Sequence, residues 1–247
     1  MTTTTPPAAH DELLDPFLAP HWETSALLVI DTQVDFAEGG STPVAGTRAV
    51  VPALTSLVEA YRRAGLPVVH VVRLYDGDDV DLVRRRAIGD GAAVVRPGTP
   101  GSAILPELVP AGAPPLDPDV LLAGRPQDLG PGEIVVWKPR WSAFHRTPLE
   151  DLLRERGVDT VVVAGCNFPN CPRATLTDAS ERDLRAVVVP DAVSGTTEEG
   201  LAQVVGLGVV LRPSSAVVAA VAGAVGRCDT SGTNRERSGT STLGTPR

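Results

Sequence analysis

Apolar residues along this chain fall into two alternating kinds of run. Short continuous blocks rich in valine are "SALLVIDT" reaching Asp31, "LPVVHVVRL", "EIVVWK" ending at Lys138, "VDTVVVAG", "RAVVVP" and "LGVVLR". Each has the length and branched content of a strand covered on both faces. Between them the apolar positions recur at helical spacing. In "TRAVVPALTSLVEAYRRAG" the spacing joins Val50, Leu54, Leu57, Val58 and Tyr61 into one stripe, and Gly65 supplies a C-terminal stop. Shorter helical patterns follow in "PLEDLLRERG", "CPRATLTDASERD", "TTEEGLAQVVG" and "SSAVVAAVAGAV". Strands alternating with helices predict an α/β fold, a three-layer α-β-α arrangement around a mostly parallel, Rossmann-like six-stranded sheet with right-handed crossovers.

The pattern loosens over residues 75–132 into Gly, Pro and Asp punctuation, with one helix predicted near Asp81 to Ile88. This stretch is expected to be a loop-rich insertion within a single domain covering residues 25–226. Residues 1–24 form an N-terminal extension. Residues 227–247 are polar and without periodicity, and are expected to be disordered.

Composition narrows the classes of partner. A length of 247 residues and 43% apolar content suit one large domain with an ordinary core. The formal net charge is -8, and no basic run extends beyond Arg84 to Arg86, which argues against nucleic acid or an anionic membrane as a partner. Without a run of about 20 apolar residues or an N-terminal leader pattern, the expected location is the cytoplasm. Three cysteines, one of them Cys228 in the polar tail, do not make a disulfide framework, so reduced thiols are expected.

Open α/β sheets bind ligands at the carboxyl ends of their strands. Asp31, Lys138 and the loop from Gly165 to Cys171 stand at three such ends. Together a carboxylate, an ammonium and a thiol make a nucleophilic site, in which the acid group takes the thiol proton and the cation favours the thiolate. Cys171 is the better candidate of the two nearby thiols. Pro172 suits the first position of a helix, so Cys171 sits where backbone N–H groups and the helix dipole stabilise negative charge. Cys166 directly follows the strand and shapes the loop. Lys138 is the single lysine among 22 basic residues, and its compact ammonium is chemically distinct from a guanidinium fork. "DTQVDF" adds Gln33 and Phe36 beside Asp31 as candidate substrate contacts. "WKPRWSAFH" brings Trp137, Trp141, Phe144 and His145, which wall a pocket or belong to the core. The histidines His10, His21, His70 and His145 are scattered without ligand spacing, so no metal and no other cofactor is expected.

In order and spacing, "LLVIDTQVDF", "VVWKPRWSAF" and "VVVAGCNFPNCPRAT", followed by "VVVPDAVSG", resemble the isochorismatase-like cysteine hydrolases, over about residues 26–194. The resemblance implies a catalytic triad of Asp31, Lys138 and Cys171. It implies a cis peptide at Cys166–Asn167 and an oxyanion hole built from the Asn167 and Cys171 N–H groups. Its usual threonine and asparagine are replaced here by Asn167 and Phe168, so Phe168 is expected to alter the pocket roof and, with Trp141 and Phe144, to touch substrate. The implied reaction is hydrolysis of a non-peptide C–N bond in a small amide, ureide or streptothricin-type lactam through a thioester, by a homo-oligomer, dimer or tetramer. Two other readings stay open: vinyl-ether hydrolysis, against which Cys171 counts, and a catalytically silent binding protein.

Overall fold

Six consecutive buried residues, Ser25–Ile30, form strand β1 near the middle of a seven-stranded sheet in the computed structural model, which describes residues 14–232 and side chains through residue 224. Strand β2 (Val68–Val72) and strand β5 (Thr160–Gly165) flank it in parallel, both fully buried. This is the condition under which valine-rich runs without alternation make strands. Beyond β2 lie β4 (Glu133–Trp137) and β3 (Gln127–Gly130), and beyond β5 lie β6 (Arg185–Val193) and β7 (Val210–Leu211), in the order β3-β4-β2-β1-β5-β6-β7.

Seven strands replace the six expected. The additional one, β3, runs antiparallel to β4 at the sheet edge, and its "QDLG" is short and polar, carrying no apolar block to signal it. Every other pairing is parallel. The 75–132 region contains helix α2 (Leu82–Gly89), where one was predicted, as well as helix α3 (Pro118–Leu122), two 3₁₀ turns and β3. The remaining helices are α1 (Thr47–Ala64), α4 (Leu149–Glu155), α5 (Cys171–Ser180), α6 (Glu198–Val205) and α7 (Ser214–Gly232). Helix α7 therefore continues past Arg227, where the polar tail was expected to begin, and residues 233–247 lie outside those described. Among the described residues no helix is long and apolar enough to cross a membrane.

Helix α1 shows how the local sequence sets an element's limits. Gly46 and Arg48 at its start donate backbone N–H groups to the Glu38 carboxylate, both at 2.7 Å. At its end Gly65 adopts φ +66°, and Leu66 N–H returns to the Tyr61 carbonyl, the left-handed cap its glycine foretold. Val51, Leu54, Leu57, Val58 and Tyr61 are buried against the sheet and α7, while Val50 is only half-buried. Each large apolar side chain in that stripe contributes about 1.5–3 kcal/mol. Arg62 on the same helix makes two hydrogen bonds of 2.7 Å to Glu133 of β4, which also meets buried His70 of β2 at 2.7 Å. Burial alone would raise the Glu133 pKa, but these two partners outweigh it and hold the carboxyl below its ordinary range.

The chain leaves β1 in one direction, toward β2 and β4, and crosses back to place β5, β6 and β7 on its other side. The junction of β1 and β5 is thus a topological switch point, where a crevice opens at the carboxyl ends of the strands. Gly165 marks it. Its φ is +120°, and an added Cβ would lie 2.2 Å from the Ile30 carbonyl oxygen and 2.6 Å from the Ile30 nitrogen. Only glycine allows β5 to turn so close to β1.

Two glycine substitutions separate conformation from contact. Gly157→Ala places a side chain at φ +65° in open space and is expected to cost about 1–2 kcal/mol in urea unfolding. Gly165→Ala adds the backbone collision and is expected to cost at least about 3 kcal/mol or to leave the protein insoluble. Equal shifts in the two midpoints would contradict the close approach.

Candidate active site

At the end of β1 the backbone of Asp31 turns into the left-handed region, φ +51°, held there as its N–H donates 2.8 Å to the Val71 carbonyl. Aspartate tolerates this conformation better than most residues, yet it still costs of order 1 kcal/mol. Lys138 stands at the end of β4, two strands away, and its N–H donates to the Val72 carbonyl. Its side chain reaches across β2, has 0% exposure, and places Nζ 2.8 Å from Asp31 Oδ2. The Arg140 carbonyl accepts a second, longer bond of 3.4 Å from Nζ. The other carboxylate oxygen, Asp31 Oδ1, is buried without a hydrogen-bond partner.

Cys171 opens helix α5, with Pro172 in the next position. Pro172 has no N–H, Arg173 N–H donates to the Phe168 carbonyl, and Ala174 N–H to the Asn170 carbonyl. Of the first four helical positions, only Cys171 keeps an N–H without an acceptor among the described residues. The Asn167 N–H in the preceding loop is likewise unengaged. The peptide bond between Cys166 and Asn167 is trans, as are all those described, which corrects the expected cis bond. Without a proline the trans form is the ordinary one. The loop turns by means of Gly165 and of Asn170, at φ -112° and ψ -99°.

The Cys171 residue is 7% exposed and lines the same cavity as Asp31. Burial and the Asp31 charge raise its pKa above the ordinary value of 9.0, and Lys138 and Arg73 pull against that rise. Cys166 is also buried, receives the Thr47 hydroxyl at 3.5 Å, and is pushed up to about 12, mainly by desolvation.

Sequence reasoning passed over Arg73. It follows β2 as Lys138 follows β4, and the pairing of Val72 with Trp137 sets the two side by side. The guanidinium is 3% exposed, with NH1 at 2.9 Å from Asp81 Oδ2 and 3.0 Å from the Pro139 carbonyl, and NH2 at 3.9 Å from Cys171 Sγ. The signal was available in "VVHVVRL", where a charged residue ends the apolar block just as it does in "EIVVWK". Asp81 occupies the N-cap position of α2 but makes no capping bond. Its Oδ2 is taken by Arg73 and by the Tyr75 hydroxyl, and its Oδ1 is buried without a partner.

A cavity of about 380 Å³ opens over these groups, lined by Asp31, Cys166, Asn167 and Cys171 and walled by Phe36 and Trp141 among others. Gln33, Phe144 and Phe168 do not line it. Gln33 is fully buried, and its amide bridges β1 to β2 through the Arg73 backbone N–H and carbonyl, both at 2.8 Å, and reaches the Ser102 carbonyl at 2.7 Å. With every polar atom committed, it positions the strand exits and has none left for a ligand. Phe144 is a core residue with the Arg182 guanidinium over its ring. Phe168 turns inward, so that a Cβ on Gly200 of α6 would meet its ring at 2.8 Å, and the cavity roof is left to Asn167 and Asn170. Among the described residues no three His, Cys, Asp or Glu side chains are grouped so as to hold a metal ion.

A family model described as the Isochorismatase domain matches residues 25–207. A protein of Arabidopsis thaliana named probable inactive nicotinamidase is 38% identical over 187 residues, 74% of this chain and 86% of that one. Ureidoacrylate amidohydrolase of Methylorubrum extorquens is 33% identical, with 69% of each chain covered. Among solved structures, an isochorismatase family protein from Desulfovibrio vulgaris superimposes with a TM-score of 0.68 at 35% identity, covering 81% of this chain and 98% of its own. With its strand-end geometry and the span of these matches, the chain belongs to the isochorismatase family.

Proposed function

We propose that this protein is a cysteine-dependent amidohydrolase that cleaves a non-peptide C–N bond of a small amide, ureide or lactam through a thioester. Hydrolysis of C–N bonds is the activity named for relatives such as the ureidoacrylate enzyme. The observation that carries the reading is the buried Lys138–Asp31 pair of 2.8 Å, which leaves Asp31 Oδ1 free beside the Cys171 thiol. In this reading Asp31 takes the thiol proton as sulfur bonds to the substrate carbonyl carbon. The Asn167 and Cys171 N–H groups hold the oxyanion. Protonated Asp31 then gives its proton to the departing nitrogen, the C–N bond breaks, and the thioester remains. A water deprotonated by the same carboxylate attacks the thioester, and the C–S bond breaks as the thiol regains its proton. Lys138 holds the Asp31 carboxylate in place at 2.8 Å, while Arg73, 3.9 Å from the sulfur, favours the negative charge that develops there.

The name of the Arabidopsis relative supports a second reading, a silent protein on the same frame. A panel of amides, ureides and lactams assayed for ammonia or amine release decides between them. Cys171→Ala is expected to lower turnover by at least about 10³-fold without loss of folding. Absence of turnover by the native protein on every member of the panel would leave the silent reading.

Lys138→Met strands a buried carboxylate, so a loss of about 3–5 kcal/mol in urea unfolding should accompany its loss of activity. A stable, inactive variant would mean that the ion pair matters to chemistry alone. The raised thiol gives a third expectation. Alkylation of Cys171 by iodoacetamide, followed by mass spectrometry, should be slower than that of a free thiol at neutral pH and should keep rising beyond pH 9, because only the thiolate reacts. A rate already level at pH 7 would show that the thiolate is the resting form.

A further inference from the structure

Of the four charged side chains that line the cavity, Asp31, Arg73, Asp81 and Arg84, three are paired. Asp31 is paired with Lys138, and Arg73 with Asp81. Of the nearby acidic loop, Asp79 is held by Arg140 and Arg146. On α2, Arg85 donates to the Val80 carbonyl and Arg86 meets Asp90. Arg84, between Val83 and Arg85, is half-buried and lines the cavity that holds Cys171; its backbone N–H donates to the Asp81 carbonyl, but its guanidinium has no hydrogen bond or ion pair among the described residues. A guanidinium without a partner at the wall of a cavity favours an anion, and its fork matches a carboxylate with two parallel hydrogen bonds.

We propose that Arg84 is the specificity residue of this site, and that the substrate is a small amide or ureide bearing a carboxylate a few bonds from the scissile carbonyl. The inference rests on the amidohydrolase reading and goes further by giving the substrate its charge. A cavity of about 380 Å³ admits only a small molecule. Phe36, Val44, Val83 and Trp141 supply apolar walls for the carbon chain between its two polar ends. Asp81 does not oppose the anion as a free charge would, because its Oδ2 is committed to Arg73 at 2.9 Å. Its unpartnered Oδ1 is a buried acceptor for a substrate N–H, which any primary amide or ureide can provide. The cavity thus presents a cation, an acceptor and a nucleophile to one ligand.

The test uses a pair of molecules that differ in charge. Succinate and its neutral diamide are titrated calorimetrically into the Cys171→Ala protein, with and without Arg84→Gln, and turnover of the monoamide succinamate is compared with that of the diamide in the native protein and in Arg84→Gln. Succinate is expected to bind at least tenfold more tightly than the diamide, with the preference lost in Arg84→Gln and partly kept in Arg84→Lys. In turnover, Arg84→Gln should lower the kcat/KM ratio of monoamide to diamide at least tenfold, chiefly through KM. Equal binding of the two probes, no measurable succinate binding, or an equal loss for both substrates would overturn the proposal. The two readings fail separately. Turnover of the diamide as fast as the monoamide removes the role of Arg84 and leaves the hydrolase standing, whereas an Arg84-dependent preference for succinate without any turnover keeps the subsite and removes the hydrolase.

Discussion

The ion pair between Lys138 and Asp31 is the constraint on which the site depends. An ammonium at 0% exposure is tenable only with a partner, since withdrawing such a charge from water costs several kcal/mol. The partner comes from two strands away, so β4, β2 and β1 must end level with one another for the pair to close. The Gln33 amide and the Val72 carbonyl, which ties the backbone of Lys138 to β2, hold those ends in register. The left-handed turn at Asp31 belongs to the same arrangement: it redirects the chain where the carboxylate meets the lysine. Arginine is the chain's usual cation, but its broad fork would not enter a space that a point donor fills completely.

That pair also sets the state of the nucleophile. Burial and the Asp31 charge raise the pKa of the Cys171 thiol, and the two cations reduce this rise without reversing it. A thiol with a raised pKa is less open to adventitious oxidation than a thiolate would be.

Much of this frame was legible in the chain. Runs such as "VVVAG" could only be strands covered on both faces, and the stripe of α1 with its glycine stop placed that helix within a residue. Asp31, Lys138 and Cys171 were visible because each interrupts or follows an apolar block at a strand's carboxyl end. Arg73 satisfies the same rule at the end of β2, which lies between β1 and β4, but an arginine in a chain whose cations are nearly all arginine does not stand out as the single lysine does. Gln33, Phe144 and Phe168 show the opposite limit. Their residue types suit substrate contacts and structural roles equally, and only side-chain direction distinguishes the two. β3 escaped for lack of any apolar signal, and the trans bond after Cys166 overrode an expectation taken from resemblance.

Asp81 stands at the start of α2 and withholds its side chain from that helix, giving it to Arg73 instead. One residue therefore ties the cavity wall supplied by the 75–132 segment to the cation beside the sulfur. Exchange of the 75–132 segment between relatives, by recombination or by design, would retune the nucleophile's surroundings along with the ligand's. The cavity wall and the sulfur's surroundings are mechanically geared through this contact, and a graft that ignored the gearing would disturb both.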